Sequence, residues 1–321
     1  MEQKLSFKGI WEVLKCSCQG FLDNKVAKLS GSLAYYTLFS MAPLLVVTIS
    51  LCGIFLGKDA IEGKIYGQLE GFMGRDTALQ LQQIIRNVSI EGQNKIAAII
   101  SIVTLVIGAT TVFAEIQDSI NSIWGLKPKP QKGWLKFLED RFLSFSVLIS
   151  LGFVLLVSLA MSAIIEGLSS RLLASYPGAT TVAFFIINHS ITLVISVLTF
   201  AVIFKVLPDA KIKWKDVLAG AIITALLFML GRFAISYYIS KSNIGSVYGT
   251  AGSLVIILLW TYYSAMILYF GAEFTKAYAI KYGSKIYPSE YAVTTKIVEI
   301  ETGQASVQDV EHKDIIITEK K

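Results

Sequence analysis

A chain of 321 residues with 54% hydrophobic and only 16% charged residues departs from soluble domains, in which about 25% are charged. The length admits two soluble domains, but repeated long apolar runs point to one helical membrane domain. The net charge of +6 suits a nucleic-acid binder by magnitude alone; its distribution among short loops, counted below, favours membrane topology instead.

In chain order, residues 1–28 alternate lysine with Phe7, Ile10, Trp11, Val13, Leu14, Phe21 and Leu22. Apolar residues at helical spacing beside lysines fit a helix lying on the inner membrane face or an amphipathic helix packed on the bundle. Cys16, Cys18 and Cys52 make no disulfide or metal set, and the first two read as free thiols on the cytoplasmic side. The first apolar run is too long for a signal-peptide core and reads as a retained anchor.

The first span is expected over 29–57, with Pro43 near its middle and a polar first half that includes Tyr36. A proline removes a helical hydrogen bond, and in lipid the freed carbonyl needs protein or water beside it. Residues 58–95 form a long connection in which ALQLQQIIRNVSI presents one apolar face after Asp76; it is expected to be an amphipathic extracytoplasmic helix. The second span, 96–120, carries Glu115, followed by Asn121 and Trp124. A third span is expected at 142–165 and a fourth, with Asn188 and His189, at 181–204. The fifth, 217–238, holds Arg232, and the sixth is expected over 251–272, before Glu273 and Lys276. Roughly 20 apolar residues at 1.5 Å each cross a hydrocarbon layer of about 30 Å. Gly245, Gly249 and Gly252 in IGSVYGTAG offer small residues at a spacing that admits a close neighbouring helix. Tyr248, Trp260 and Tyr263 either pack or line a polar path. Residues 281–321 read as a cytoplasmic, largely disordered tail.

Lysine and arginine concentrate in alternate loops. Lys127, Lys129, Lys132, Lys136 and Arg141 occupy the second, and Lys205, Lys211, Lys213 and Lys215 the fourth, against Arg171 in the third and Lys241 in the fifth. The positive-inside rule then predicts an all-α, six-span polytopic bundle with both termini cytoplasmic.

At 1.5 Å per residue, His189 and Arg232 lie about 12 Å and about 10 Å below the outer face. Arg232 either snorkels outward or faces a polar cavity. In the second case it holds a phosphate or carboxylate, with His189 or Asn188 donating a hydrogen bond. Asn188 adjoins His189 in sequence but falls on another helical face. Glu115 and Glu273 fall near the cytoplasmic boundary, where, with Asn121 as a further candidate, they relay protons or make structural pairs. His189 and His312 are the only histidines, too few for a multi-histidine metal centre. No nucleotide-binding loop, dinucleotide fingerprint or zinc spacing occurs. Neither a cofactor nor an enzymatic activity is expected.

Three segments carry a resemblance: SLAYYTLFSMAPLL at 32–45, FAEIQDSINSIW at 113–124 and SVYGTAGSLVIILLWTYYSAMILYFGAE at 246–273. Together they resemble the YihY/BrkB family of bacterial membrane proteins, historically labelled ribonuclease BN. The resemblance covers about residues 10–285. It implies a six-span protein of the bacterial plasma membrane, or inner membrane in a two-membrane cell, in a family tied to virulence or serum resistance. Some members are associated with export of lipid or lipopolysaccharide-related molecules. The expected function is thus export or lipid handling of an amphiphilic or anionic substrate; the alternative is a non-transporting structural or assembly protein. A membrane ribonuclease is disfavoured, because no residues here supply its chemistry. Membrane lipids are the expected partners, nucleic acid is not, and a homo-oligomer is left open.

Overall fold

In the computed structural model, residues 6–40, 95–129, 177–242, 248, 251–283, 285–290 and 292–295 are described. They are mostly helical. Helix α1 (Phe7–Asp23) is followed, after a turn, by helical residues 26–40, α2. Then come α3 (Lys95–Trp124), α4 (Pro177–Val206), α5 (Trp214–Lys241) and α6 (Gly252–Lys281). Within these, His189–Val206, Trp214–Ile235 and Leu254–Lys281 are long and apolar enough to cross a membrane. The second, fourth, fifth and sixth expected spans fall on α3, α4, α5 and α6. The third expected span, the first beyond residue 40, and the amphipathic helix between the first two lie outside the described residues.

The α1–α2 turn is tight. The Asn24 amide donates to Gly20 O at 2.9 Å and the Lys25 amide to Leu22 O at 3.0 Å, and Lys25 takes φ 51°. That is the left-handed region, which costs an L-residue with a side chain about 1–2 kcal/mol.

The sixth helix does not stop at the end of the apolar run. It continues nine residues past Ala272, to Lys281, and Glu273 and Lys276 lie inside it, the first met by Asn24 of the α1–α2 turn and the second by Ile123 O of α3. Its inward face meets α5 through reciprocal small-residue contacts. A Cβ on Gly220 would overlap the Thr275 hydroxyl, and one on Gly271 would overlap that of Thr224. The hydroxyls turn back onto their own helices, Thr224 Oγ1 donating to Gly220 O and Thr275 Oγ1 to Gly271 O, each at 2.7 Å. Farther along, Gly231 faces the Tyr263 ring, whose Cε1 would lie 2.5 Å from an added Cβ. This order runs α5 and α6 antiparallel at van der Waals contact, the packing that holds helices together in lipid. On α5, Leu218, Ile222, Leu226, Leu230 and Phe233 are exposed, an apolar stripe at helical spacing on a membrane-crossing helix.

The core is densest where α3, α4 and α6 end and α5 begins. Ile120, Ile123, Phe204, Val217, Tyr269 and Ala272 are buried together there, with Val26 of α2. The same end carries Lys127, Lys129, Lys205, Lys211, Lys213 and Lys215, and is called the lysine-rich end below.

Within the tail expected to be largely disordered, residues 285–290 and 292–295 carry two short strands. Strand β3 (Tyr287–Pro288) pairs antiparallel with β2 (Ala210–Lys211), in the α4–α5 connection. Strand β4 (Ala292–Thr294) pairs antiparallel with β1 (Leu126–Pro128), just after α3. The segment thus ties two loops together. Ser289 N donates to Asp209 O at 2.9 Å and Thr295 N to Gly125 O at 2.8 Å. Lys211 pairs with Glu290 at 3.4 Å, an exposed bond worth little alone. Residues 296–321 lie outside the described residues.

Candidate functional site

Polar side chains in an apolar bundle need partners, and the lysine-rich end concentrates them. Asn121, buried on α3, donates from Nδ2 to Asp209 Oδ2 at 2.8 Å, and its Oδ1 accepts from the Asp209 amide at 2.9 Å. Gln117, one turn earlier, donates to Asp209 Oδ1 at 3.3 Å. Both atoms of the Asn121 amide and both oxygens of the Asp209 carboxylate are engaged, so α3 is clamped to the loop after α4.

A second set of bonds joins α3 to α6. Trp124 Nε1 donates to Ala272 O at 3.0 Å, and Lys276 Nζ to Ile123 O at 2.6 Å. A lysine at a helix C-terminus also complements the negative end of the helix dipole. A third joins the α1–α2 turn to α6: Asn24 Nδ2 donates to Glu273 Oε1 at 2.5 Å. Glu273 is 3% exposed, which makes it a buried carboxyl within a membrane-crossing helix. Gly20 is the reason it fits, because a Cβ there would lie 2.5 Å from Glu273 Oε2.

Next to these bonds, the fully buried Tyr269 faces Ser119 and lies within electrostatic reach of Glu115. Its hydroxyl makes no hydrogen bond of ordinary geometry. Glu115 itself is half-buried. Among the described residues no group of three or more His, Cys, Asp or Glu has the arrangement of a metal site.

The structure brings Asn121, Glu115 and Glu273 to one end of the bundle but does not join the two carboxylates through a described bond. Arg232 is half-buried on α5 and His189 exposed on α4, and both have interaction partners. The Asn188 side chain and Pro43 lie outside the described residues. Tyr36 and Tyr248 are exposed. Trp260 is half-buried, and Tyr263 packs on Gly231.

Sequence reasoning passed over Asp209 and Asn24. Asp209 sits in a loop notable for lysine, and its signal was the Pro-Asp pair breaking the basic run. Asn24 announces itself only as a turn residue. Tyr269 is visible in the sequence as a phenol in an apolar run whose hydroxyl wants a partner.

At the same lysine-rich end, Glu12 on α1 bonds Lys281 of α6. That hydrogen bond and the ammonium charge hold the Glu12 carboxyl below its ordinary value.

Several bacterial membrane proteins are similar to this chain. The UPF0761 membrane protein of Ralstonia nicotianae is 26% identical over 257 residues, covering 78% of this chain and 55% of the relative. That of Saccharophagus degradans is 27% identical over 259 residues, 81% of this chain and 58% of the relative. In Aggregatibacter aphrophilus the similarity is 25% over 283 residues, 87% of this chain and 96% of the relative. The chain therefore spans little more than half the length of the first two and nearly all of the third. No solved structure matches. The family model described as Virulence factor BrkB matches residues 17–292, a stretch that holds the Asn121–Asp209 clamp, the Asn24–Glu273 bond and the Gly/Thr contact of α5 with α6; this membrane protein belongs to the BrkB family.

Proposed function

We propose that this protein is an exporter or lipid-handling transporter of an amphiphilic or anionic substrate. It works in the bacterial plasma membrane, the inner membrane of a two-membrane cell, with six spans and both termini cytoplasmic. The observation that carries the reading is Glu273: a carboxyl group buried inside a membrane-crossing helix, met by one neutral hydrogen-bond donor, Asn24. Burying such a group is costly, and intramembrane ionisable residues mark substrate or proton paths by default. A structural role alone is served as well by a leucine on α6 facing an alanine.

In this reading the basic loops gather the anionic headgroup, at roughly 1 kcal/mol per lysine near the surface. Arg232 supplies the cation for a phosphate or carboxylate within the bundle, with His189 or Asn188 as the neutral donor. Glu273, with Glu115 near the same end, takes up and releases the coupling proton. Rearrangement at the α1–α2 turn accompanies it, since the Asn24 bond ties that turn to α6. The family resemblance to exporters of lipid-related molecules supports the substrate class.

The test is reconstitution of the purified chain in vesicles with a fluorescent anionic phospholipid in one leaflet. Wild-type protein is expected to speed its appearance in the other. Glu273→Gln keeps an acceptor for Asn24, so it is expected to fold normally and to lose about a hundredfold or more in rate, the scale of one proton-transfer group. Arg232→Ala is expected to weaken handling of anionic lipid more than of zwitterionic lipid. Wild-type vesicles that move no amphiphile would end this reading and leave the structural or assembly role.

A further inference from the structure

Helices α3 and α6 run parallel where they touch. Ser119 faces Tyr269; farther along, Ile123 O accepts from Lys276 and Trp124 donates to Ala272 O. Tyr269 is 0% exposed, yet its hydroxyl has no hydrogen bond of ordinary geometry. A buried hydroxyl in that state costs about 1–3 kcal/mol, and native proteins meet such groups with a water or an ion.

The charge around the hydroxyl selects between the two. Glu115 lies one turn before Ser119 on the same side of α3 and within electrostatic reach of Tyr269. Asp118 is within reach of both Glu115 and Asp209, so three carboxylates share this corner of the bundle. Asp209 is served by Asn121 and Gln117. The nearby ammonium groups are committed elsewhere, Lys276 to Ile123 O and Lys205 to Ile212 O. Among the described residues none makes an ion pair or hydrogen bond with the Glu115 carboxylate. A water satisfies a hydroxyl but leaves that negative charge standing. A cation answers both.

We propose that Glu115, Ser119 and Tyr269 form a binding site for an alkali-metal cation at the contact of α3 with α6. The carboxylate supplies the charge, and the two hydroxyl oxygens supply further ligands, as hard cations require. Tyr269 donates its proton to a carboxylate oxygen while its own oxygen meets the ion. One carboxylate matches a single charge, and Glu115, Asp118 and Asp209 do not converge in the arrangement of a multi-carboxylate metal site. Glu115 is half-buried, so water completes the shell from its open side. The site rests on the α3–α6 contact and not on transport. Its one consequence for the transport reading is that the ion and the coupling proton exclude each other at Glu115, because only the ionised carboxylate holds the ion.

The experiment uses the full chain, purified in detergent in N-methylglucamine chloride. Sodium or potassium chloride then replaces that salt at constant ionic strength, while bound radioactive cation and the thermal midpoint are read together. Wild type is expected to bind one of the two ions saturably, with a midpoint that rises with occupancy. Glu115→Gln is expected to abolish both effects. Ser119→Ala and Tyr269→Phe are each expected to weaken affinity roughly tenfold, the scale of one lost polar contact. Tyr269→Phe also removes the buried hydroxyl. Without alkali cation it is expected to be at least as stable as wild type, and with the ion less stable, so the two midpoints cross. No saturable binding of either ion, with one midpoint in all three salts, would mean that a water meets the hydroxyl and would overturn the proposal. Binding that survives both Glu115→Gln and Tyr269→Phe would place the ion elsewhere and overturn it too. Should Glu115→Gln fail to fold, the two hydroxyl variants decide.

Discussion

Single side chains at the lysine-rich end divide into those that clamp and those that carry a cost. Asn121 clamps: it satisfies both a carboxylate oxygen and a backbone amide of Asp209. Asn121→Ala should lower stability by about 2 kcal/mol, read as a fall in the thermal midpoint in detergent. Asn121→Asp should cost more, since it sets one carboxylate against another at hydrogen-bond distance. Glu12 offers a pH readout. Its folded value is depressed by Lys281, so its contribution is present above the ordinary carboxylate range and is lost as pH falls through the depressed value. Amide exchange in α1, corrected for the intrinsic rate, should quicken on acidification. Lys281→Gln should remove that step. Asn121 and Glu273 were legible in the sequence because a polar residue at an apolar helical position stands out. Asp209 was not, because a loop carboxylate looks solvated until the α3 side chains that donate to it are in place.

The α5–α6 pair shows what elements add to residues. Each helix carries glycine four residues before threonine, Gly220–Thr224 and Gly271–Thr275, and antiparallel crossing sets each glycine against the other helix's threonine. Gly271→Ala should cost about 2 kcal/mol by overpacking. In a Thr224→Ala background the cost should shrink to about 1 kcal/mol, a coupling that a double-mutant cycle in detergent would measure. A cycle that adds without coupling would mean the helices part easily there. Existence and placement of α3 to α6 followed from long apolar runs, which dictate helix in lipid. The partner of each glycine did not, because a small residue in a uniform apolar run says that something comes close without saying what. The expected close approach at Gly245 and Gly249 lies outside the described residues, and the contacts that hold α5 to α6 use other glycines. Helix α1 was read as membrane-facing or bundle-packed; it packs on the bundle through Gly9, Val13 and Ser17.

At the scale of the molecule, charge and apolar length specify a membrane protein, while the bonds that organise its lysine-rich end join residues far apart in sequence. Removing residues 285–321 should loosen the loops around Leu126 and Ala210 and raise their protease accessibility, with the helices themselves retained. Unchanged cleavage would show that the strands add nothing. The tail was expected to be largely disordered because its five described strand residues, in two short pieces, have no periodicity of their own; they are strands only against β1 and β2.

That pairing also sets an order of assembly. Leu126 and Ala210 leave the ribosome well before their partners Thr294 and Pro288, so both loops must wait, unpaired, until translation of the membrane domain is nearly finished. Closure of this end is therefore a late event in biogenesis, and a nascent chain stalled before residue 285 should present an open base to insertion factors and proteases alike.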